Sequence, residues 1–160
     1  MKQLLLLRHG HAVEARDGLE DIDRPLTRRG RAEALDAAQC IAVAQIQCDY
    51  LLVSPAARAR ETATIVAAEL DLADGIHFDP ALYPGEPDAL LAALRRCPAA
   101  AGTLMIVGHN PGLSALAQRF QGKAPPIELH TAGLCAVTFA ARTLWSDLRP
   151  ALARRVRQLR

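Results

Sequence analysis

Three short apolar runs constrain this chain more than any other feature: residues 4–7 (LLLL), 49–53 (DYLLV) and 103–107 (TLMIV). Each has the length of a buried strand, stops at a turn (Gly10, Ser54-Pro55, Gly108) and precedes a helical stretch. Thr27 is the expected N-cap of a helix running to about residue 46, with Leu35, Ala38, Ala42 and Ile46 on its inner stripe. A second helix is expected from Ser54-Pro55 to about residue 70, with Ala59, Ala63, Val66 and Leu70 inward. Shorter helices follow over 88–96 and from Pro111 to about residue 120. Residues 75–79 and 133–139 read as further strands, 144–148 as a partner at the sheet edge, and the arginine-rich end as a closing helix. Strand and helix in alternation predict an α/β fold, a three-layer α/β/α sandwich around a mostly parallel central sheet.

A chain of 160 residues suits one domain spanning 1–160. Hydrophobic content of 51% against 22% charged residues predicts a folded domain with a real core. Aromatics at 4% and a net charge of +2 speak against a nucleic-acid platform. Neither G-x-G-x-x-G nor G-x-x-x-x-G-K-[ST] occurs, so dinucleotide and nucleoside-triphosphate binding lack motif support. The leucine run is too short to span a bilayer. Cys40, Cys48, Cys97 and Cys135 lack paired or zinc-finger spacing, and with no signal peptide a reduced, cytoplasmic setting is expected. The acids of the loop 11–24 (Asp17, Glu20, Asp21, Asp23) have no regular ligand spacing and read as surface carboxylates. Positive charge concentrates in residues 142–160, where six arginines face only Asp147; this reads as a solvated helix face, with a docking surface for an acidic protein or a membrane as the other reading.

The strand ends carry the chemistry. Arg8 and His9 close the first apolar run, Arg58 follows the second, and His109 closes the third. Strand carboxyl ends in open α/β sheets converge on ligand crevices, so two arginines and two histidines fall on one face. Guanidinium forks match phosphate oxygens and stay charged at neutral pH. A neutral imidazole is a competent nucleophile toward phosphorus. The set predicts phosphoryl transfer: His9 attacks in line, Arg8 and Arg58 hold the group and neutralise its charge, and His109 donates to its oxygens. Gly10 is expected to let backbone donors approach, and the helix starts after Pro55 and Pro111 to add more.

The blocks RHGHA (8–12), RPLTRRG (24–30), LLVSPAARARETA (51–63), LYPGEPDAL (82–90) and IVGHNP (106–111) together resemble, in order and spacing, the histidine phosphatase superfamily. This phosphoglycerate-mutase-like group carries Arg-His-Gly at its first strand end, and the blocks are similar in particular to its small SixA-like branch of phosphohistidine phosphatases. The likeness covers about residues 2–121. It implies a phosphoglycerate-mutase-like fold, His9 as the phosphorylated nucleophile, Arg8, Arg58 and His109 as phosphate-binding partners, and no metal or other cofactor. Many relatives use a glutamate after the third strand as proton donor, which makes Glu86 the candidate general acid; Asp88 is a weaker one, and His11 borders the nucleophile. Larger members carry an insertion that shapes the pocket, and 76–88 leaves little room for one here. A small, open pocket suits a phosphohistidine presented by another protein, with inorganic phosphate as product and neither nucleic acid nor membrane as partner. Two other readings stand beside it: a small-molecule phosphomonoesterase with the same four residues, and a non-catalytic phospho-residue binding module. The second has no use for a nucleophile, and a mutase would need a more enclosed pocket.

Overall fold

The computed structural model describes residues 1–160 apart from the side chain of Ala73. Four strands run parallel: β1 (Lys2–Arg8), β2 (Tyr50–Val53), β3 (Ile76–Phe78) and β4 (Thr103–Gly108). β5 (Leu134–Phe139) pairs antiparallel with β1, and β6 (Arg155–Gln158) antiparallel with β5. The order across the sheet is β3-β2-β4-β1-β5-β6, which sets β1 inside it with β4 on one flank.

Residue alternation along β1 divides the leucine run between two cores. Leu4 and Leu6 pack with α3 (Pro87–Arg95) and α4 (Gly112–Gln121) through Leu90, Leu94, Leu116 and Phe120. Leu5 and Leu7 pack with α1 (Arg28–Val43) and α2 (Ala57–Glu69) through Ala38, Ile41, Ala63 and Val66. Burial of each leucine contributes about 1.5–3 kcal/mol, and burial on both faces explains why the run shows no polar alternation. The three-layer α/β/α sandwich is therefore present, with each pair of helices covering one face.

Three local expectations are corrected. Thr27 does cap α1, accepting from the Gly30 amide at 3.1 Å, but the buried residues are Gly30, Ala34, Ala37, Ala38 and Ile41, and Leu35 is 39% exposed. Apart from Ile41 the inner stripe of α1 is made of glycine and alanine, small enough for close packing on α2, so Leu35 misreports the face. Residues 144–148 are not a strand. Trp145–Asp147 form a 3-10 turn that buries the Trp145 ring against Phe139, with its indole N–H donating to the Ala101 carbonyl at 2.8 Å. The arginine-rich end is β6 rather than a helix. Its RVRQ alternation turns Val156 toward the core and leaves Arg155 and Arg157 exposed on a charged edge strand.

Beyond β6 the chain returns to the carboxyl end of β1. Leu134 donates its amide to the Arg160 carbonyl (3.1 Å), and the Arg160 guanidinium donates to the carbonyls of Thr131 (3.0 Å) and Ala132 (3.2 Å). Lys2, at the opposite pole, donates to the Ala99 and Ala101 carbonyls and lies over the Trp145 ring. All four cysteines are free, and burial pushes the thiols of Cys48, Cys97 and Cys135 up to about 11. Among the described residues no helix is long and apolar enough to cross a membrane.

Candidate active site

The carboxyl ends of β1, β2 and β4 bring Arg8, His9, Arg58 and His109 together. His9 follows β1 directly, and its backbone is held on two sides: its amide donates to the Gly108 carbonyl at 3.0 Å and its carbonyl accepts from the Ala132 amide at 2.9 Å. The turn beyond it rests on α1 and α2. Gly10 donates to the Thr62 hydroxyl oxygen (3.1 Å), and the His11 amide donates to the Glu33 carboxylate (2.8 Å). Gly10 is required here by packing rather than by an anion. A Cβ on it would lie 2.4 Å from the Gly30 carbonyl oxygen, and one on Gly30 would lie 2.0 Å from that of His11. Backbone meets backbone where the turn after His9 crosses the first turn of α1, so neither position has space for a side chain.

The His9 ring has a fixed tautomer. Its Nδ1 lies 2.7 Å from the Gly10 carbonyl oxygen, an acceptor only, so Nδ1 carries the proton. Arg58 Nε donates to the Nε2 lone pair at 3.3 Å. Burial holds the imidazole down to about 4, opposed by the bond to Gly10 and reinforced by the Arg58, Arg8 and Arg24 charges. His109 is lowered to about 3, again by burial first, then by His9 and Arg58. Both rings are neutral at physiological pH, and their centroids are 5.1 Å apart.

His109 Nε2 lies 2.7 Å from Ser54 Oγ, whose lone pair also accepts from the Ala56 amide at 3.3 Å. The other His109 nitrogen, Nδ1, is buried without a partner, as is Arg8 Nε. Arg8 donates through Nη1 to the Leu129 carbonyl (3.1 Å), and burial lowers its guanidinium, with Glu128 and Glu33 opposing. Unpaired buried polar nitrogens are costly, and a set of them beside a neutral imidazole fits a site made for an anion.

Asp21 organises the mouth, a role the sequence reading did not give it. Arg58 donates from Nη1 to the Asp21 backbone carbonyl (2.7 Å) and from Nη2 to Oδ2 (3.1 Å). Arg24 Nε donates to Oδ1 (2.9 Å), and the Tyr83 hydroxyl donates to Oδ2. The Asp21 carboxyl is held down to about 2, by the Tyr83 bond first and then by Arg24 and Arg58. Tyr83 also stands edge-on to His109, with centroids 5.5 Å apart. Asp21 and Tyr83 lie 62 residues apart, a pairing that no local pattern announces, although Tyr83 falls within the LYPGEPDAL block. Glu86, the candidate acid from that block, is exposed at the N-cap of α3, and its side chain makes no capping bond. Asp88, in the first turn of α3, pairs with Arg119. His11 Nδ1 lies 2.9 Å from the Thr27 hydroxyl oxygen.

A sheet of this order, with Arg-His-Gly at the end of its first strand and a second histidine at the end of the neighbouring strand, is the scaffold of a phosphoryl-transfer enzyme. The sequence model of the Histidine phosphatase superfamily (branch 1) matches residues 4–83, and the chain belongs to that superfamily. Among its relatives are an uncharacterized protein of Picosynechococcus, 38% identical over 72% of this chain and 71% of that protein, and the phosphohistidine phosphatase SixA of Escherichia coli, 30% identical over 85% of this chain and 84% of that protein. The crystal structure from Agrobacterium tumefaciens provisionally named phosphohistidine phosphatase SixA superposes with a TM-score of 0.79 at 29% identity, over 86% of this chain and 92% of that one. The enzyme class is phosphatase and the fold phosphoglycerate-mutase-like.

Proposed function

We propose that this chain is a metal-independent phosphatase that removes phosphate from phosphohistidine on a partner protein, through a phosphohistidine formed on His9. The observation that carries the reading is the His9 ring: buried, neutral, with its Nδ1 proton fixed on Gly10 and its Nε2 lone pair facing Arg58. In the proposed sequence a phosphoryl oxygen takes over Arg58 Nε and frees the lone pair. Arg8 Nε and a His109 Nδ1 proton, the latter fixed by a Ser54 hydroxyl donating to Nε2, supply further donors to the phosphoryl oxygens. Nε2 then attacks phosphorus as the P–N bond of the substrate breaks. The substrate ring, protonated on its other nitrogen, leaves as a neutral imidazole, while His9 carries the phosphoryl group on Nε2 and keeps its Nδ1 proton on the Gly10 carbonyl. Water attacks the phosphohistidine, the N–P bond breaks, inorganic phosphate leaves, and His9 returns to its starting tautomer. Its relationship to the Escherichia coli phosphohistidine phosphatase SixA supports the choice of substrate.

Rapid acid and alkaline quench of turnover on a phosphohistidine protein tests this, with chelator present. An alkali-stable, acid-labile phosphoenzyme in the wild type that is absent in His9→Ala is expected. Turnover retained by a folded His9→Ala variant would overturn it. In the same assay Glu86→Gln is expected to spare phosphohistidine hydrolysis and to slow hydrolysis of an alkyl ester such as glycerol 2-phosphate, because an alkoxide needs a proton donor to leave more than a protonated phosphohistidine ring does.

A further inference from the structure

A second concavity of about 600 Å³ opens beside the catalytic strand ends. Its walls include Pro55 and Arg60 of the segment entering α2, Ile65 further along that helix, and Phe78 at the end of β3, with Arg31 and Glu61 opposite. Val53 and Phe78 are paired in register, so Phe78 emerges at the same carboxyl end of the sheet as Arg8, His9 and His109. Pro55 directly follows Ser54, the partner of His109, and Arg58 lies between Pro55 and Arg60 in the chain.

The lining is uneven in chemistry. Arg31 and Glu61 satisfy each other at 3.1 Å, and both bond the Leu26 backbone. Arg60 is exposed and takes no carboxylate among the described residues. Phe78 is 55% exposed, a large aromatic face left open at the end of an edge strand. An aromatic anchor with an adjacent unpaired guanidinium has the composition of an interface core and its charged rim.

We infer that this groove docks the protein that delivers the phosphohistidine, by a segment carrying an apolar side chain next to a carboxylate. The inference rests on the phosphohistidine-protein reading above and adds where that protein is held. The apolar side chain fills the space between Phe78, Ile65 and Pro55, and the carboxylate pairs with Arg60. The groups proposed for catalysis all address the phosphoryl group, so selection among proteins needs contact outside them.

Kinetics of Phe78→Ala and Arg60→Glu, two exposed positions, test this. The substrates are an acidic carrier protein phosphorylated on histidine with phosphoramidate, and free phosphohistidine. KM for the phosphoprotein is expected to rise about tenfold in either variant, while kcat/KM for the free amino acid stays within about twofold. Unchanged phosphoprotein kinetics, or equal losses on both substrates, would overturn the docking role while leaving the enzyme reading intact. If the wild type cleaves p-nitrophenyl phosphate but not the phosphoprotein, the substrate reading fails, and the docking role with it.

Discussion

Arg58 Nε points at His9 Nε2 from 3.3 Å, while both terminal nitrogens of the same guanidinium are held by Asp21. The proposed nucleophile is therefore aligned through a cation whose own position is fixed by an acidic residue at the rim. Positioning passes from Asp21 to Arg58 to His9, from a half-exposed carboxylate to a buried ring.

Asp21→Asn should lower kcat by between about tenfold and a hundredfold, the cost of a slightly misplaced catalytic group. Because the Asp21 side chain is 51% exposed, the melting temperature should barely move. Tyr83→Phe removes one of the bonds to Asp21 and should give a smaller loss of the same kind. Steady-state kinetics beside thermal melts check this; a kcat unchanged in Asp21→Asn would remove the positioning role.

The acid limb of the rate profile should follow the lowered imidazoles. His9 stays neutral until about pH 4, so the limb set by the nucleophile lies near there and not at its ordinary 6.5. A kcat/KM profile on p-nitrophenyl phosphate, which survives acid, would show it, and a midpoint near 6.5 would contradict the buried neutral ring.

Stability has the matching dependence. Below pH 6.5 the unfolded chain binds protons at His9 and His109, while the folded chain does not until about 4 and about 3. Stability is thus fully present above 6.5 and falls as pH drops through this window, by at most about 1.4 kcal/mol per pH unit for each ring. Urea unfolding at pH 7, 6 and 5 measures it, and His109→Gln should flatten the slope.

Thr62→Val keeps the shape of a fully buried side chain but leaves the Gly10 amide without its acceptor. A loss of about 1–3 kcal/mol is expected. Hydrogen exchange at Gly10 should rise in the variant, which a simple packing change would not cause.

Gly30→Ala sets two effects against each other. Alanine in a helix normally gains up to about 1 kcal/mol over glycine. Here its Cβ would lie 2.0 Å from the His11 carbonyl oxygen, so the turn carrying His9 must shift. The balance should be a loss of about 2–4 kcal/mol together with activity. A stabilised, active variant would refute the close backbone contact.

Much of this arrangement is legible in the residues. Arg8, His9, Arg58 and His109 can be placed because strand ends are set by apolar runs, and strand ends converge in this kind of sheet. Thr27 can be placed because capping is local chemistry. Asp21 and Tyr83 escape because their roles exist only once two distant loops meet. The last strand escapes for another reason: Arg, Leu and Ala favour a helix, and only the open edge of β5 makes the alternation around Val156 decisive.

The return of the chain to Thr131, Ala132 and Leu134 has a practical side. Arg160 grips the carbonyl of Ala132, whose amide in turn holds the His9 carbonyl. A purification handle or solid support joined after Arg160 would therefore crowd the turn that carries His9 and pull on its scaffolding. The same attachment made ahead of Met1 leaves from the far pole, near Lys2 and Trp145, and keeps the mouth clear.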